Sequence, residues 1–229
     1  MFGLEETETQ SNPGCASETN GGTRGTTLYL LFGKRCLDLT ASTLSLLLLS
    51  PLFLLIALAI WFEDGGPVLF RQERVGRFGR VFRICKFRTM VRDSDVGSSV
   101  TVAGDKRLTR TGRLLRKWKL DELPQLLDVI RGEMSLVGPR PDVPGFADQL
   151  TGEERVVLQL RPGVTGPASI RYWDEEHILA QQEDPEEYNR RVLFPDKVRL
   201  NVEYARKVSF LEDVKCLIFT LLRYIWRPV

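Results

Sequence analysis

Two adjacent carboxylates, Asp121 and Glu122, are the residues of this chain whose types and spacing best fit a chemical role. They stand in the run KLDELPQ at 119–125, between a basic stretch and the tetrapeptide GPRP at 138–141. Carboxylate oxygens suit Mg²⁺, which usually binds proteins through one or two carboxylates together with substrate phosphates. The pattern therefore indicates a site for a metal ion and phosphate groups.

A structural role for the same pair is an alternative. Asp121 stands where the N-cap of a short apolar helix is expected, and Glu122 and Pro124 fall in its first turn. A negative charge there complements the helix dipole, and proline is tolerated. The triplet DSD at 93–95 offers further oxygen ligands, but such short triplets are common by chance.

The charge distribution points to an anionic partner. Residues 71–119 hold fifteen Lys or Arg against four Asp or Glu, within a chain of net charge +2. Such a block is typical of proteins that bind nucleic acid, lipid headgroups or phosphorylated small molecules, although a solvated face with ion pairs is an equal alternative. The membrane segment described next favours phosphates at a membrane surface over nucleic acid.

Cysteine and histidine usage excludes several kinds of site. The four cysteines are too far apart for a zinc ribbon or a redox pair, and they fit a reducing compartment. The single histidine, His177, excludes HExxH metal sites. The sequence also lacks a Walker motif and a GxGxxG loop.

An apolar run without charged residues extends over 39–62. As a helix it would measure roughly 36 Å, which exceeds a bilayer core of about 30 Å. Ser50 and Pro51 interrupt it at the midpoint, where proline favours a sharp kink. A buried soluble helix is the alternative, but a helix that is apolar on all sides favours the membrane.

Both flanks of this run are basic. Lys34 and Arg35 precede it, and four arginines follow it, at positions 71, 74, 77 and 80. Cytoplasmic flanks are enriched in Lys and Arg, so a simple span would force one basic flank across the membrane. We therefore predict a re-entrant, monotopic hairpin over 31–62, bent at Ser50 and Pro51.

The rest of the chain is assigned by periodicity and breaker residues. Residues 1–30 are polar and predicted to be a disordered tail, and 63–229 form a domain with α+β fold, mostly helical, with a small sheet. Strands are predicted from Val68 and over 81–88, and a loop over 92–104. Helices are predicted over 109–118, from Leu123 to Gly132, and over 153–161, 174–192, 196–208 and 214–226. The last helix is expected either at the membrane interface, with Tyr224 and Trp226 at headgroup level, or packed on the core.

The order of motifs resembles the bacterial sugar transferase family, the monotopic phosphoglycosyl transferases. The matching pieces are KR at 34–35 with Asp38, SP at 50–51, FRQERVG at 70–76, KFRTM at 86–90, DKRLTR at 105–110, LDELPQ at 120–125, GEMSLVGPRP at 132–141 and RPGVTG at 161–166. The resemblance covers roughly residues 31–229, and the ordered combination is highly specific.

This resemblance implies a reaction and a site. Family members transfer a sugar 1-phosphate from a UDP-sugar to polyprenyl phosphate in the membrane and release UMP, which starts a surface glycan. Asp121 would be the nucleophile, and Glu122 would help hold Mg²⁺ or handle a proton. Basic residues would contact the phosphates and substrate; they are Lys86, Arg88, Arg116, Arg140, Arg161 and Arg171.

One departure and several alternatives accompany this interpretation. Many members carry an Asn-Gly-Arg loop after RPGVTG, whereas this chain has PASIRYW at 167–173, in which Arg171 is the substitute. The expected location is the cytoplasmic face of the inner membrane, without a nucleic-acid partner, and the sequence leaves a homo-oligomer open. The alternatives are a glycosyltransferase that releases UDP and a non-enzymatic module that binds anionic lipid or polymer.

Overall fold

The computed structural model describes residues 29–92 and 105–226. Within these ranges the chain is mostly helical with two small sheets, so the predicted α+β class is confirmed. Most of the predicted tail, the DSD triplet at 93–95 and most of the predicted loop lie outside the described residues. The boundaries of the tail, the hairpin and the 63–229 domain stay predictions.

The apolar run forms one long helix, α1, over Lys34–Asp64. It follows a π-helical turn at Tyr29–Gly33 and continues through Pro51 as a helix of 31 residues. By length and composition α1 is long enough to cross a membrane. Its middle is exposed, with Leu47 and Leu48 at 69% and 76%. The bend at Ser50 and Pro51 and the re-entrant topology stay predictions.

Both ends of α1 pack on the rest of the chain. Near its start the buried Asp38 accepts hydrogen bonds from the Ser135 hydroxyl, at 3.0 Å, and from the Leu136 backbone N–H, at 2.8 Å. Near its end Ile56 and Ile60 are buried in one apolar cluster, whose other buried members are Phe87 and Leu115. The helix therefore contacts the rest of the chain at two places separated by its exposed middle.

Two strands form the first sheet. β1 spans Leu69–Val75 and pairs antiparallel with β2, Val81–Phe87, in a register that sets Phe70 opposite Lys86. A 3₁₀ turn at Arg77–Gly79 joins them. Both predicted strands are confirmed, and β1 begins one residue after the predicted start at Val68.

A second, parallel sheet was not predicted. It pairs β3, Ser135–Val137, with β4, Gly163–Thr165. Three-residue strands are too short to show an alternating pattern. The backbone approaches so closely here that only glycine fits at position 163, because an added Cβ would lie 2.1 Å from the Gly138 nitrogen.

The carboxylate pair lies between two short helices. α2 spans Arg110–Lys117 and is capped by Thr109, and α3 spans Gln125–Arg131 and ends at the left-handed Gly132. A 3₁₀ turn at Leu120–Glu122 precedes α3. The predicted N-cap at Asp121 is wrong, because Pro124 occupies the cap position of α3 and no side chain caps it.

The C-terminal half is more segmented than predicted. The segment 153–161 is a 3₁₀ helix at Gly152–Gln159. Five α-helices and a π-helical turn at Asn189–Leu193 follow: α4, Pro167–Arg171; α5, Glu175–Ala180; α6, Pro185–Tyr188; α7, Phe194–Lys207; and α8, Phe210–Ile225. Asp184 caps α6, and Pro185 lies in its first turn, so the single helix predicted over 174–192 is divided.

Candidate active site

A cavity of about 950 Å³ lies beside the turn that carries the carboxylate pair. The C-terminal part of β2, the turn at Leu120–Glu122, the segment after β3, and helices α4, α5 and α8 contribute to its walls. Asp121 and Glu122 line the cavity together with Lys86 and Arg140. Lys86 and Arg140 come from segments that are distant from the pair in the sequence. The fold therefore gathers four of the predicted site residues around one space.

Asp121 is the carboxylate available for chemistry. Its side chain is only 6% exposed, and its buried Oδ1 accepts no hydrogen bond from any described residue. Burial, followed by the nearby charge of Glu122, raises the pKa of Asp121 above its usual value. A left-handed residue, Lys119 at φ 52°, starts the turn that carries Asp121. Asp121 thus presents at the cavity wall an oxygen that has no partner among the described residues.

Glu122 is the opposite case, because two cations hold it. Lys86 Nζ lies 3.0 Å from its Oε1, and the Arg140 guanidinium contacts both oxygens, at 2.7 Å and 3.3 Å. Although burial favours the neutral form, the charges of Arg140 and Lys86 hold the pKa of Glu122 well below its usual range. Glu122 is therefore a fixed anion at neutral pH.

Two further predicted cations line the same cavity. Arg88 is 8% exposed and forms an ion pair with Asp64 at 3.1 Å, while its buried Nε and Nη1 have no partner among the described residues. Arg116 donates to the Thr89 hydroxyl and to Glu176, both at 3.0 Å. Arg88 thus keeps two donors for a ligand, and Arg116 is held in place from both sides.

Two predicted cations do not reach the cavity. Arg161 donates from Nε to the Gly132 carbonyl at 2.9 Å, and Arg171 is the last residue of α4. Neither belongs to the described residues that line the cavity. Arg161 instead secures the C-terminal end of α3.

Other residues that line the cavity escaped the sequence analysis. The charged ones are Arg74, Arg92, Arg107, Lys119, Asp142, Glu175, Glu176 and Lys197. Arg74 lies in the FRQERVG motif and Asp142 directly follows GPRP, so motif proximity was their only signal. Tyr224 lines the cavity and its ring contacts Trp173 edge-to-face, with centroids 4.8 Å apart, which agrees with the alternative that the last helix packs on the core. Trp226 is 80% exposed, as an interfacial residue would be.

The carboxylate pair fits a Mg²⁺ ion that is completed by substrate. Among residues 29–92 and 105–226 no cluster of three or more metal-ligating side chains exists, so these side chains alone do not build a closed cage. Mg²⁺ commonly uses one or two carboxylates and takes its other ligands from phosphates and water. The unpartnered Oδ1 of Asp121 beside the fixed anion Glu122 suits such an open site.

Comparisons with known proteins match nearly the whole described chain. The family model "Bacterial sugar transferase" matches residues 29–227. An undecaprenyl-phosphate glucose phosphotransferase of Komagataeibacter xylinus is 44% identical over 201 residues, which cover 84% of this chain and 36% of that protein. A UDP-glucose:undecaprenyl-phosphate glucose-1-phosphate transferase of Caulobacter vibrioides is 42% identical over 193 residues, 82% of this chain and 68% of the relative.

An Escherichia coli protein with the same name as the Caulobacter relative is 37% identical over 194 residues, which cover 83% of this chain and 39% of that protein. The chain thus spans little more than a third of the length of the Komagataeibacter and Escherichia relatives, and about two thirds of the Caulobacter one. The matched segment includes every residue of the cavity described above. The chain therefore belongs to the bacterial sugar transferase family.

Proposed function

We propose that this chain transfers a sugar 1-phosphate from a UDP-sugar to membrane polyprenyl phosphate and releases UMP, which starts a surface polysaccharide. The observation that carries the proposal is the unpartnered, buried Oδ1 of Asp121 at the wall of a cavity rich in cations. The names of the relatives support the substrate class, since two are UDP-glucose:undecaprenyl-phosphate glucose-1-phosphate transferases.

The chemistry proceeds in two displacements at one phosphorus atom. An Asp121 oxygen forms a bond to the β-phosphorus of the donor, and the bond from that phosphorus to the bridging oxygen breaks, so UMP leaves with the electron pair. An oxygen of polyprenyl phosphate then attacks the same phosphorus and displaces the Asp121 carboxylate. Covalent catalysis of this kind divides one difficult displacement into two easier ones.

The charges of the cavity favour this reaction. A carboxylate that approaches a diphosphate is repelled, so fixed positive charge must compensate for the repulsion. Arg88, with two unpartnered donors, and Arg116, held by Thr89 and Glu176, are suited to the phosphate oxygens. Asp121 and Glu122 would hold Mg²⁺, which would supply further positive charge to compensate for the charge that develops on the phosphates.

Glu122 serves better as a fixed anion than as a proton acceptor. Its pKa lies well below the usual range because Arg140 and Lys86 outweigh the effect of burial. A general base is most effective when its pKa lies near the working pH. We therefore assign Glu122 to metal binding and to the positioning of Arg140 and Lys86.

The packing of α1 supports a one-sided attachment to the membrane. A straight span would carry the two ends of α1 to opposite faces of the membrane. Yet both ends pack on the segment that follows α1, the start on Ser135 and the end on Phe87 and Leu115. The exposed middle, with Leu47 and Leu48 outward, is free to enter one leaflet. We propose a re-entrant hairpin with the catalytic part on the cytoplasmic face of the inner membrane. Labelling that places Lys34 and Arg71 on opposite faces would refute it.

The nucleotide product tests the function. The purified chain in detergent, given UDP-glucose, polyprenyl phosphate and Mg²⁺, is expected to release UMP. Asp121→Asn should abolish this release, whereas Glu183→Gln, an exposed acidic-to-amide change outside the cavity, should leave it unchanged. Mass spectrometry should find a phosphosugar adduct on Asp121 when the acceptor is withheld.

The alternatives predict other products. A glycosyltransferase that moves only the sugar releases UDP, and a binding module for anionic lipid or polymer releases no nucleotide. UDP as the sole product, or near-normal turnover by Asp121→Asn, would contradict the proposal.

A further inference from the structure

A second polar cluster lies in the cavity beyond the carboxylate pair. It consists of Arg74, Asp142, Glu175 and Lys197, which come from β1, the segment after β3, α5 and α7. Lys197 is 9% exposed and lies 2.5 Å from Glu175 Oε1. Arg74 donates to a Gln72 oxygen at 2.5 Å, while its buried Nε has no partner among the described residues. The reaction proposed above uses none of the four.

The charge of this cluster differs from that of its surroundings. Among the described residues that line the cavity, nine are basic and five are acidic. The cluster has two of each, so the entire positive excess among these lining residues lies outside it. A phosphate is favoured less by a cluster without net charge than by the part of the cavity that carries this excess. A hydroxyl group suits the neutral cluster, because it donates to a carboxylate and accepts from a guanidinium or ammonium group.

Arg140 links the two parts of the cavity. It is paired with Glu122, and its charge also interacts with Asp121, Glu175 and Asp142. The cluster is therefore a neighbour of the proposed nucleophile. In a UDP-sugar, the hexose is attached directly to the β-phosphorus that Asp121 would attack, so the ring must occupy cavity space next to Asp121.

An apolar surface lines the same cavity as the cluster. Phe146 and Phe194 both line it, and their rings meet edge-to-face with centroids 5.2 Å apart. Sugar rings combine polar hydroxyls with apolar C–H faces, and pockets for small ligands pair apolar walls with a few placed polar groups. The cluster and the aromatic pair together offer both kinds of contact.

We propose that Arg74, Asp142, Glu175 and Lys197 bind the hydroxyl groups of the hexose ring of the donor. This inference rests on the proposed function and specifies the subsite for the transferred sugar. The ribose of the nucleotide carries hydroxyls as well, so it is the competing source of the same chemistry. The hexose is favoured because Arg140 connects the cluster directly to Glu122 and Asp121.

The test removes hydroxyls and their partners in turn. UMP release is measured with UDP-glucose, with its four monodeoxyglucose analogues and with the 2′-deoxyuridine analogue. The proteins are wild type, Asp142→Asn and Glu175→Gln, with Asp148→Asn and Glu154→Gln as matched changes outside the cavity. A site built to bind a hydroxyl discriminates strongly against the analogue that lacks it.

We expect wild type to lose at least tenfold in kcat/KM with one or more deoxyglucose donors. In Asp142→Asn or Glu175→Gln this penalty should fall to threefold or less, while the control variants keep it. Equal losses with every donor would overturn the inference, because that pattern indicates a structural or catalytic role. Relief confined to the 2′-deoxyuridine analogue would assign the cluster to ribose and overturn it as well.

Binding to Asp121→Asn separates this inference from the proposed function. Calorimetry with the same donors, in this background and in its double variants with Asp142→Asn and Glu175→Gln, reports recognition without turnover. Absence of UMP release by wild type would contradict the function alone. Equal affinity for UDP-glucose and all its deoxyglucose analogues would contradict the subsite.

Discussion

Arg140 holds Glu122 through both terminal nitrogens of its guanidinium, with Nη2 2.7 Å from Oε1 and Nη1 3.3 Å from Oε2. Lys86 Nζ donates to the same Oε1 at 3.0 Å. The carboxylate next to Asp121 is thus fixed by groups from two distant segments of the chain. A planar guanidinium matches a carboxylate in a way that the single ammonium of lysine does not.

Arg140→Lys should therefore lower turnover while the net charge is kept. Hydrogen bonds to charged groups contribute about 1.5–3 kcal/mol. Since 1.36 kcal/mol corresponds to a tenfold change in rate, kcat should fall roughly 10–100-fold. UMP release under saturating donor measures this change.

The control for this prediction is Arg83→Lys, because Arg83 forms an exposed ion pair with Glu73 at 3.3 Å. Exposed pairs contribute little, so this variant should retain wild-type turnover. Full activity of Arg140→Lys would show that positive charge alone suffices at position 140.

Asp121→Asn should stabilise the fold at neutral pH even though it removes the nucleophile. Burial and the charge of Glu122 raise the pKa of Asp121 above its ordinary value of 3.8. As the pH rises through the window between 3.8 and the raised pKa, the unfolded state gives up this proton first, so the wild type loses stability there. The amide escapes that loss, and a gain of about 0.5–2 kcal/mol above this window is expected.

Chemical denaturation in detergent, with a chelator to remove divalent cations, measures the difference at pH 4 and pH 7.5. The stability gain of Asp121→Asn should be small at pH 4 and larger at pH 7.5, while Glu183→Gln should show no such pH dependence. A variant less stable than wild type at pH 7.5 would mean that the Asp121 carboxylate is well compensated in the metal-free protein.

The local sequence predicted the elements around the site better than the direction of individual side chains. Strand periodicity placed Lys86 on β2, and Gly132 correctly marked the end of α3. The sequence could not show that Lys119 adopts a left-handed conformation and begins a 3₁₀ turn, which is why the alternative of Asp121 as a helix cap is wrong. Whether a motif arginine reaches the cavity depends on packing between distant segments. Arg140 reaches it and pairs with Glu122, whereas Arg161 bonds to the Gly132 carbonyl outside it.

The cluster that includes Arg74 and Asp142 had no detectable pattern. Its members are far apart in the chain, and each alone resembles a solvated surface charge. The three-residue strands β3 and β4 were missed because no periodicity develops over that length. These features depend on long-range contacts.

Gly112→Ala should destabilise the protein although alanine is the better helix former. A Cβ at this position in α2 would lie 2.0 Å from the Thr89 carbonyl oxygen, a backbone atom that cannot easily move. Helix propensity favours alanine by about 1 kcal/mol, while overpacking costs about 1–3 kcal/mol, so a net loss of up to about 2 kcal/mol is expected. Activity should fall too, because Arg116 on the same helix bonds to Thr89.

Urea denaturation monitored by circular dichroism provides the measurement. Arg113→Ala, an exposed change on the same helix, is the control and should be neutral or slightly stabilising. An unchanged or higher stability of Gly112→Ala would show that α2 can shift away from Thr89 at little cost.

Arg35 at the start of α1 should be required for both stability and turnover, because it connects α1 to α3, the helix that follows the carboxylate pair. Its Nη1 donates to the Val129 carbonyl at 2.6 Å and its Nη2 to the Ile130 carbonyl at 2.8 Å. These carbonyls lie in the last turn of α3, where positive charge is favourable, and the Val129 carbonyl also accepts from the Gly132 backbone N–H at 3.0 Å.

Arg35→Gln should cost about 1–3 kcal/mol of stability, since two hydrogen bonds from a charged donor are lost, and should lower kcat as α3 loosens beside Asp121. Arg35→Lys keeps the charge at the helix end but cannot reproduce the two divergent donors. Its stability and turnover should therefore lie between those of wild type and Arg35→Gln. Thr40→Ala is the control on α1, because the Thr40 hydroxyl bonds only within its own helix, to Cys36 and Leu37. Denaturation midpoints and UMP release should change together across this series. A variant that lost stability yet kept full turnover would show that α3 positions Asp121 without support from α1.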